Sequence, residues 1–143
     1  MSHTTRRKAG LVNADVIQRA AHRIGAKYKG VGKAQQYNRR TLNGHRLEIP
    51  GFRYDVVIDT KSGDILSDTW GGRWGDDSKI DELQQKYAVE AGKMDAEKKG
   101  HEFQEIPLED GSIKCLITVG GGGSTELSSG GGADFDMAGG PSL

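Results

Sequence analysis

Residues 54–74 read YDVVIDTKSGDILSDTWGGRW, and two architectures compete for them. As chemistry, Asp59-Thr60-Lys61 matches the second half of a metal-dependent nuclease site, with Glu48 or Asp55 as the other carboxylate. There, carboxylates hold a divalent cation and a lysine helps activate water. As structure, Tyr54, Val56 and Ile58 alternate with Asp55 and Asp59, Lys61-Ser62-Gly63-Asp64 makes a turn, and ILSDT returns. That pattern is a β-hairpin. The hairpin reading prevails on two grounds. Asp55 and Asp59 share one strand face, which in an antiparallel sheet is the solvated side. Lys61 lies in the turn itself and points away from any cleft.

Working outward, Asn13 caps a helix at about 14–24, in which Val16, Ile17, Ala20, Ala21 and Ile24 form an apolar stripe ending at Gly25. The basic stretch AKYKGVGKAQQYNRRTLNGH reads as loop, with a tight-turn signal at Asn43-Gly44. Beyond the hairpin, Ser78 caps a second helix that presents Ile80, Leu83, Tyr87 and Met94 on one face and closes at Gly100. HEFQEIPL and SIKCLITV are two more strands around Glu109-Asp110-Gly111, and residues 1–10 suit a short edge strand or an arm. Runs of neighbouring strands between helices imply an α+β domain: an antiparallel sheet with two helices packed on one face. It occupies residues 1–119. Residues 120–143 are Gly/Ser-rich with few apolar side chains, and are expected to form a flexible C-terminal tail.

The composition narrows the function classes. One cysteine, Cys115, allows no internal disulfide, so a reducing, cytoplasmic setting is expected. No apolar run is long enough to span a membrane, and MSHTTRRKAG has no apolar segment of the leader type. The four histidines have no metal-ligand spacing, and GGGGST lacks the lysine of a phosphate-binding loop. No cofactor or catalytic residue is therefore assigned. Cys115 alternates with Ile113 and Ile117 and reads as a buried structural thiol.

The formal net charge is zero, yet residues 1–53 hold 12 Lys/Arg against 2 Asp/Glu, and residues 54–143 hold 8 against 18. Either the basic half faces an anionic partner or the two halves neutralise each other internally. For the first case Arg19, Arg23, Lys27, Lys29, Lys33, Arg39 and Arg40, interleaved with Tyr28 and Tyr37, are the candidate nucleic-acid contacts. No helix-turn-helix, zinc-finger or RNA-recognition signature accompanies them. A separate candidate is the W-G-G-R-W-G loop. Trp70, Arg73 and Trp74 suit a protein-binding hot spot, because large aromatics and Arg carry most of the energy of such surfaces. One tryptophan is expected to pack on Leu83 and Tyr87, and the other to stay exposed.

The MSH start, the early helix ending in glycine, YDVVI with its hairpin, the W-G loop, Leu83-x-Gln85-x-Tyr87-Ala88, G-H-E-F and E-D-G-S-I-K occur in this order over residues 1–119. In that order they resemble a family of small uncharacterised proteins found as a conserved hypothetical reading frame in plastids, cyanobacteria, other bacteria and phages. The Gly-rich tail and RTLNGHRLEIPGF look like additions to that pattern. Relatives in that family are often encoded near an AAA-type ATPase, so the resemblance implies an accessory or adaptor role toward such a partner. It transfers no catalytic residue. The expectation is a non-catalytic protein-binding adaptor, with non-specific nucleic-acid binding by residues 1–53 as the alternative.

Overall fold

A computed structural model of the chain describes residues 4–119 and 123–129. At its centre, β4 (Val56–Asp59) and β5 (Asp64–Ser67) form the expected hairpin, pairing Val57 with Leu66, Ile58 with Ile65 and Asp59 with Asp64. The turn is closed locally. The Asp59 carboxylate accepts the Lys61 N–H at 3.0 Å, and the Asp59 carbonyl accepts the Gly63 N–H at 2.7 Å. Gly63 has φ of +80°, which glycine adopts without a Cβ clash. The edge strand β1 (Thr5–Lys8) pairs with β5, so the basic arm is part of the sheet.

Two helices cover one face of this sheet. In α1 (Ala14–Arg23) the Asn13 side chain accepts the N–H groups of Asp15 and Val16, and Gly25 follows at φ of +74°. The second helix, α2 (Asp77–Lys98), is capped by Asp76 rather than Ser78. Both residues can cap, but the chain is still extended only at Asp76, whose carboxylate takes the Ser78 N–H at 2.9 Å. Val16, Ile17, Ala20 and Ala21 of α1 and Ile80, Leu83 and Tyr87 of α2 join Val56, Ile58 and Ile65 in one buried cluster. Each fully buried aliphatic chain contributes about 1.5–3 kcal/mol, so this cluster dominates the stability. The Tyr87 hydroxyl reaches out of it to accept the N–H groups of Val12 and Asn13, at 3.1 and 3.0 Å.

The basic stretch expected as loop is a hairpin of long strands, β2 (Lys27–Gln35) and β3 (Thr41–Glu48). Gly30, Gly32 and Gly44 interrupt its side-chain alternation, which hides the period from the sequence. Asn43-Gly44 is not the turn: both lie within β3, and the chain reverses at Gln36–Arg40, where the Gln36 N–H meets the Arg40 carbonyl at 2.6 Å. Gly44 instead permits a close crossing. A Cβ there would lie 2.7 Å from the Ile58 carbonyl oxygen, with φ at +153°. The full sheet runs β1-β5-β4-β3-β2, all antiparallel.

The outer face of β4 is not simply solvated. Ala34 and Leu42, paired across the hairpin, pack on Val57 and Leu66, so the far half of the hairpin folds over that face. A second, three-stranded sheet, β6 (Glu102–Pro107), β7 (Ile113–Val119) and β8 (Gly123–Ser129), packs elsewhere on α2, with Phe103, Ile113 and Cys115 against Val89. Two antiparallel sheets thus stand where the sequence implied one, and the α+β class holds. Residues 123–129, assigned to the tail by composition, pair with β7 from Val119↔Gly123 to Ile113↔Ser129. The remainder of that tail, 120–122 and 130–143, lies outside the described residues.

Tyr87→Phe keeps the ring but leaves the Val12 and Asn13 N–H groups without their acceptor. The expected outcome is a loss of about 1–3 kcal/mol, read as a lower urea midpoint with an unchanged slope. An unchanged midpoint would show that water replaces the hydroxyl at no cost.

Candidate recognition site

Four of the twelve cations in residues 1–53 pair with carboxylates of the acidic half. Arg6 pairs with Asp64, Arg7 with Asp81, Lys29 with Asp55 at 2.7 Å, and Arg23 with both Glu90 and Glu105 at 2.9 and 2.7 Å. Each pair joins the basic half to the acidic one. Arg23 is the deepest of these. Hydrogen bonding to Glu105, opposed by burial and aided by Glu90, raises its pKa above the ordinary arginine value. Arg6 holds the Asp64 carboxyl below the usual range by hydrogen bonding. The folded-state pKa of Asp64 is therefore depressed, and its contribution to stability is present above the ordinary carboxylate pKa and lost as pH falls through the lowered one.

These pairs divide the seven nucleic-acid candidates. Arg23 and Lys29 are committed to ion pairs. Arg19 and Lys27 are exposed on α1 and at the start of β2. Lys33 lies on β2, and Arg39 and Arg40 lie at the β2–β3 reversal.

The reversal does bring Tyr37 to the tryptophan loop. That loop is built on one carbonyl: Thr69 accepts the N–H groups of Gly72 and Trp74, at 3.0 and 2.8 Å, and the Trp70 carbonyl takes the Arg73 N–H at 3.2 Å. The Thr69 hydroxyl donates to Asp77 at 2.8 Å, tying the loop to the start of α2, and the Arg53 N–H donates to the Trp74 carbonyl at 2.8 Å. The Trp70 and Trp74 ring centroids lie 4.8 Å apart. Tyr37 and Tyr54 each sit 5.4 Å from Trp74, the second edge-on. Arg53 lies 4.9 Å over the Trp74 ring and Arg73 4.9 Å over the Trp70 ring, where the quadrupole of the ring face attracts the cation.

The expectation that one tryptophan packs on Leu83 and Tyr87 is corrected: the core cluster that holds those two includes neither indole, and the indoles pack on each other. Trp74 is half-buried among three rings, whereas Trp70 and Tyr37 are 38% and 43% exposed. Tyr54, placed by alternation with Val56 and Ile58, precedes β4 and joins this cluster instead. Tyr37, Arg53 and Tyr54 are the members that the sequence pattern missed. They come from two segments outside the tryptophan loop, and no local spacing announces their meeting.

Strain collects at the same place. Among the described residues, the non-glycine residues with positive φ are Asn38 (59°), Arg39 (62°) and Trp70 (44°). All belong to the two loops of this cluster. Such a conformation costs on the order of 1–3 kcal/mol per residue and persists where surrounding structure enforces it, commonly at binding sites. Gln36 and Asp68, which flank the cluster in sequence, also carry buried side-chain oxygens without a hydrogen-bond partner.

The Asp59–Lys61 triplet is occupied by its turn, and Asp55 by Lys29. Among the described residues no three His, Cys, Asp or Glu side chains gather as metal ligands. Cys115 is 1% exposed, and burial pushes its thiol up to about 11. It is expected to react with a disulfide reagent at pH 8 only in denaturant, since the thiolate is the nucleophile. Rapid labelling of the native chain would show that the β7–α2 contact opens.

No family model, curated protein or solved structure matches this chain, so the site is read from its own geometry.

Proposed function

We propose that the chain is a non-catalytic accessory protein that binds another protein through the surface formed by Trp70, Arg73 and Trp74 with Tyr37, Arg53 and Tyr54. One observation carries the reading: three segments distant in sequence place four aromatic rings and two stacked guanidiniums together at an exposed, strained site. Trp, Tyr and Arg are the residues that carry most of the energy in protein interfaces. Rings already stacked and a loop already held by the Thr69 carbonyl lose little freedom on binding, which lowers the entropic cost of association. An AAA-type ATPase is the partner that the family resemblance implies.

Trp70→Ala is expected to change folding stability by less than about 1 kcal/mol and to weaken partner binding by about 2 kcal/mol or more. Trp74→Ala, which removes a half-buried ring from three neighbours, is expected to cost about 2–4 kcal/mol of stability as well. The measurement is urea unfolding beside recovery of co-purifying proteins from the native host with each variant. Recovery of the same proteins by Trp70→Ala would remove this surface from the reading.

A second reading is favoured by the exposed Arg39 and Arg40 that follow Tyr37 at the β2–β3 reversal: rings for stacking and cations for phosphates suit single-stranded nucleic acid. It requires binding of an oligothymidylate that weakens steeply with salt as counterions are released, and its loss on reversing Arg39 and Arg40 to Glu. No binding at low salt would eliminate it.

A further inference from the structure

The arginines of the chain sort by what holds them. Arg6, Arg7, Arg23 and Arg46 donate side-chain hydrogen bonds to protein oxygens. Among the described residues, Arg53 and Arg73 are in no ion pair. Rings hold them instead. Arg53 lies 4.9 Å over Trp74 and 5.6 Å over Tyr54, and Arg73 lies 4.9 Å over Trp70. Both arginines are exposed. The carboxylates that neighbour them in sequence are engaged elsewhere: Asp55 by Lys29, Asp76 by the Ser78 N–H and Asp77 by the Thr69 hydroxyl.

A long exposed side chain ordinarily loses rotamer freedom when a ligand binds it. A guanidinium held over an aromatic ring has lost part of that freedom beforehand, and its planar fork of donors matches a carboxylate through two parallel hydrogen bonds. The two guanidiniums also belong to one small patch. The indole centroids are 4.8 Å apart, so the cations can be separated by little more than the three ring distances laid end to end. One short segment can meet both. The indoles serve here as supports. Trp74 already meets Tyr37, Tyr54, Trp70 and Arg53, which disfavours a stacked base and favours a ligand recognised by its charge.

We propose that the partner presents an acidic peptide segment, whose carboxylates pair with the ring-supported guanidiniums of Arg53 and Arg73. This inference rests on the proposed function and adds the chemistry by which the partner is selected.

Both tryptophans of the chain lie in this surface, so their fluorescence follows its occupancy. Titration of the full-length chain with a hexaglutamate peptide is expected to give a saturable change in emission. Arg53→Gln and Arg73→Gln are each expected to raise the Kd about fivefold or more, by loss of a charge-assisted fork. Arg73→Lys is expected to raise it nearly as much, because an ammonium keeps the charge without the fork. Lys61→Gln and Lys98→Gln remove the same charge from exposed positions in the β4–β5 turn and at the end of α2. At physiological ionic strength they are expected to change the Kd less than about twofold, since distant exposed charges are screened. Absence of a saturable change overturns the proposal. An equal loss in Lys61→Gln or Lys98→Gln also overturns it, by reducing the effect to net charge. Displacement of hexaglutamate by a lower concentration of oligothymidylate overturns it in favour of nucleic acid. Partner recovery from the native host separates this inference from the reading beneath it. No hexaglutamate binding, with partners still lost in Trp70→Ala, defeats the acidic segment and leaves the proposed function standing. Arginine-dependent hexaglutamate binding, with the same partners recovered by Trp70→Ala, defeats the proposed function and leaves an acidic-ligand site.

Discussion

Val56, Val57 and Ile58 are all fully buried, so β4 has no solvent face. An antiparallel sheet with helices on one side ordinarily leaves its other side to water. Here the apolar Val57 and Leu66 make that arrangement costly, and the β2–β3 hairpin answers by laying Ala34 and Leu42 across them. The absence of a side chain at Gly44 allows the close crossing. The reversal of that hairpin carries Tyr37, Arg39 and Arg40, and folding over the sheet delivers Tyr37 to Trp74. The candidate recognition surface is thus a consequence of covering β4. Its two loops are held by the same packing that completes the core, which explains how three strained residues persist there.

The second organising constraint is electrostatic. Unpaired, the +10 and −10 halves would each repel themselves and need an external counter-charge. In the fold, Arg6, Arg7, Arg23 and Lys29 of the basic half meet carboxylates of the acidic half. Arg23 is the clearest case: it joins α1 to α2 through Glu90 and to β6 through Glu105. An ion pair of this depth contributes less net stability than its geometry suggests, because both partners are desolvated, but removing one partner leaves a buried charge uncompensated. Its main effect is to fix which helix faces and which strand meet. Arg53 and Arg73, stacked on the tryptophans, are in no ion pair among the described residues, and neither are Arg19 and Lys27 elsewhere on the surface.

The central hairpin, both helices and β6–β7 were legible because their signals are local: a short apolar run on each side of a Lys-Ser-Gly turn, an Asn cap ahead of an apolar stripe, a Gly after each helix. The misreadings have a common cause. In β2 and β3, glycines replace the side chains that would have shown a two-residue period. In residues 123–129, GSTELSS, pairing along the β7 backbone succeeds where composition offers one leucine. Backbone hydrogen bonds to a neighbour already in place do not need an apolar face of their own. The recognition loop was legible as Trp70, Arg73 and Trp74, since rare residue types stand out. Its other members were not, because long-range packing alone decides that Tyr37, Arg53 and Tyr54 meet there.

The position of α2 has a further consequence. One part of it, Ile80, Leu83 and Tyr87, belongs to the core of the five-stranded sheet, while Val89 belongs to the core of the three-stranded sheet. Neither sheet can expose its apolar face without stripping the same helix. The two cores therefore belong to one cooperative unit, and the central amides of α2 should exchange their hydrogens with solvent only when the whole molecule opens. The small sheet, which by size alone would fray first, inherits its protection from a helix that the larger sheet holds in place.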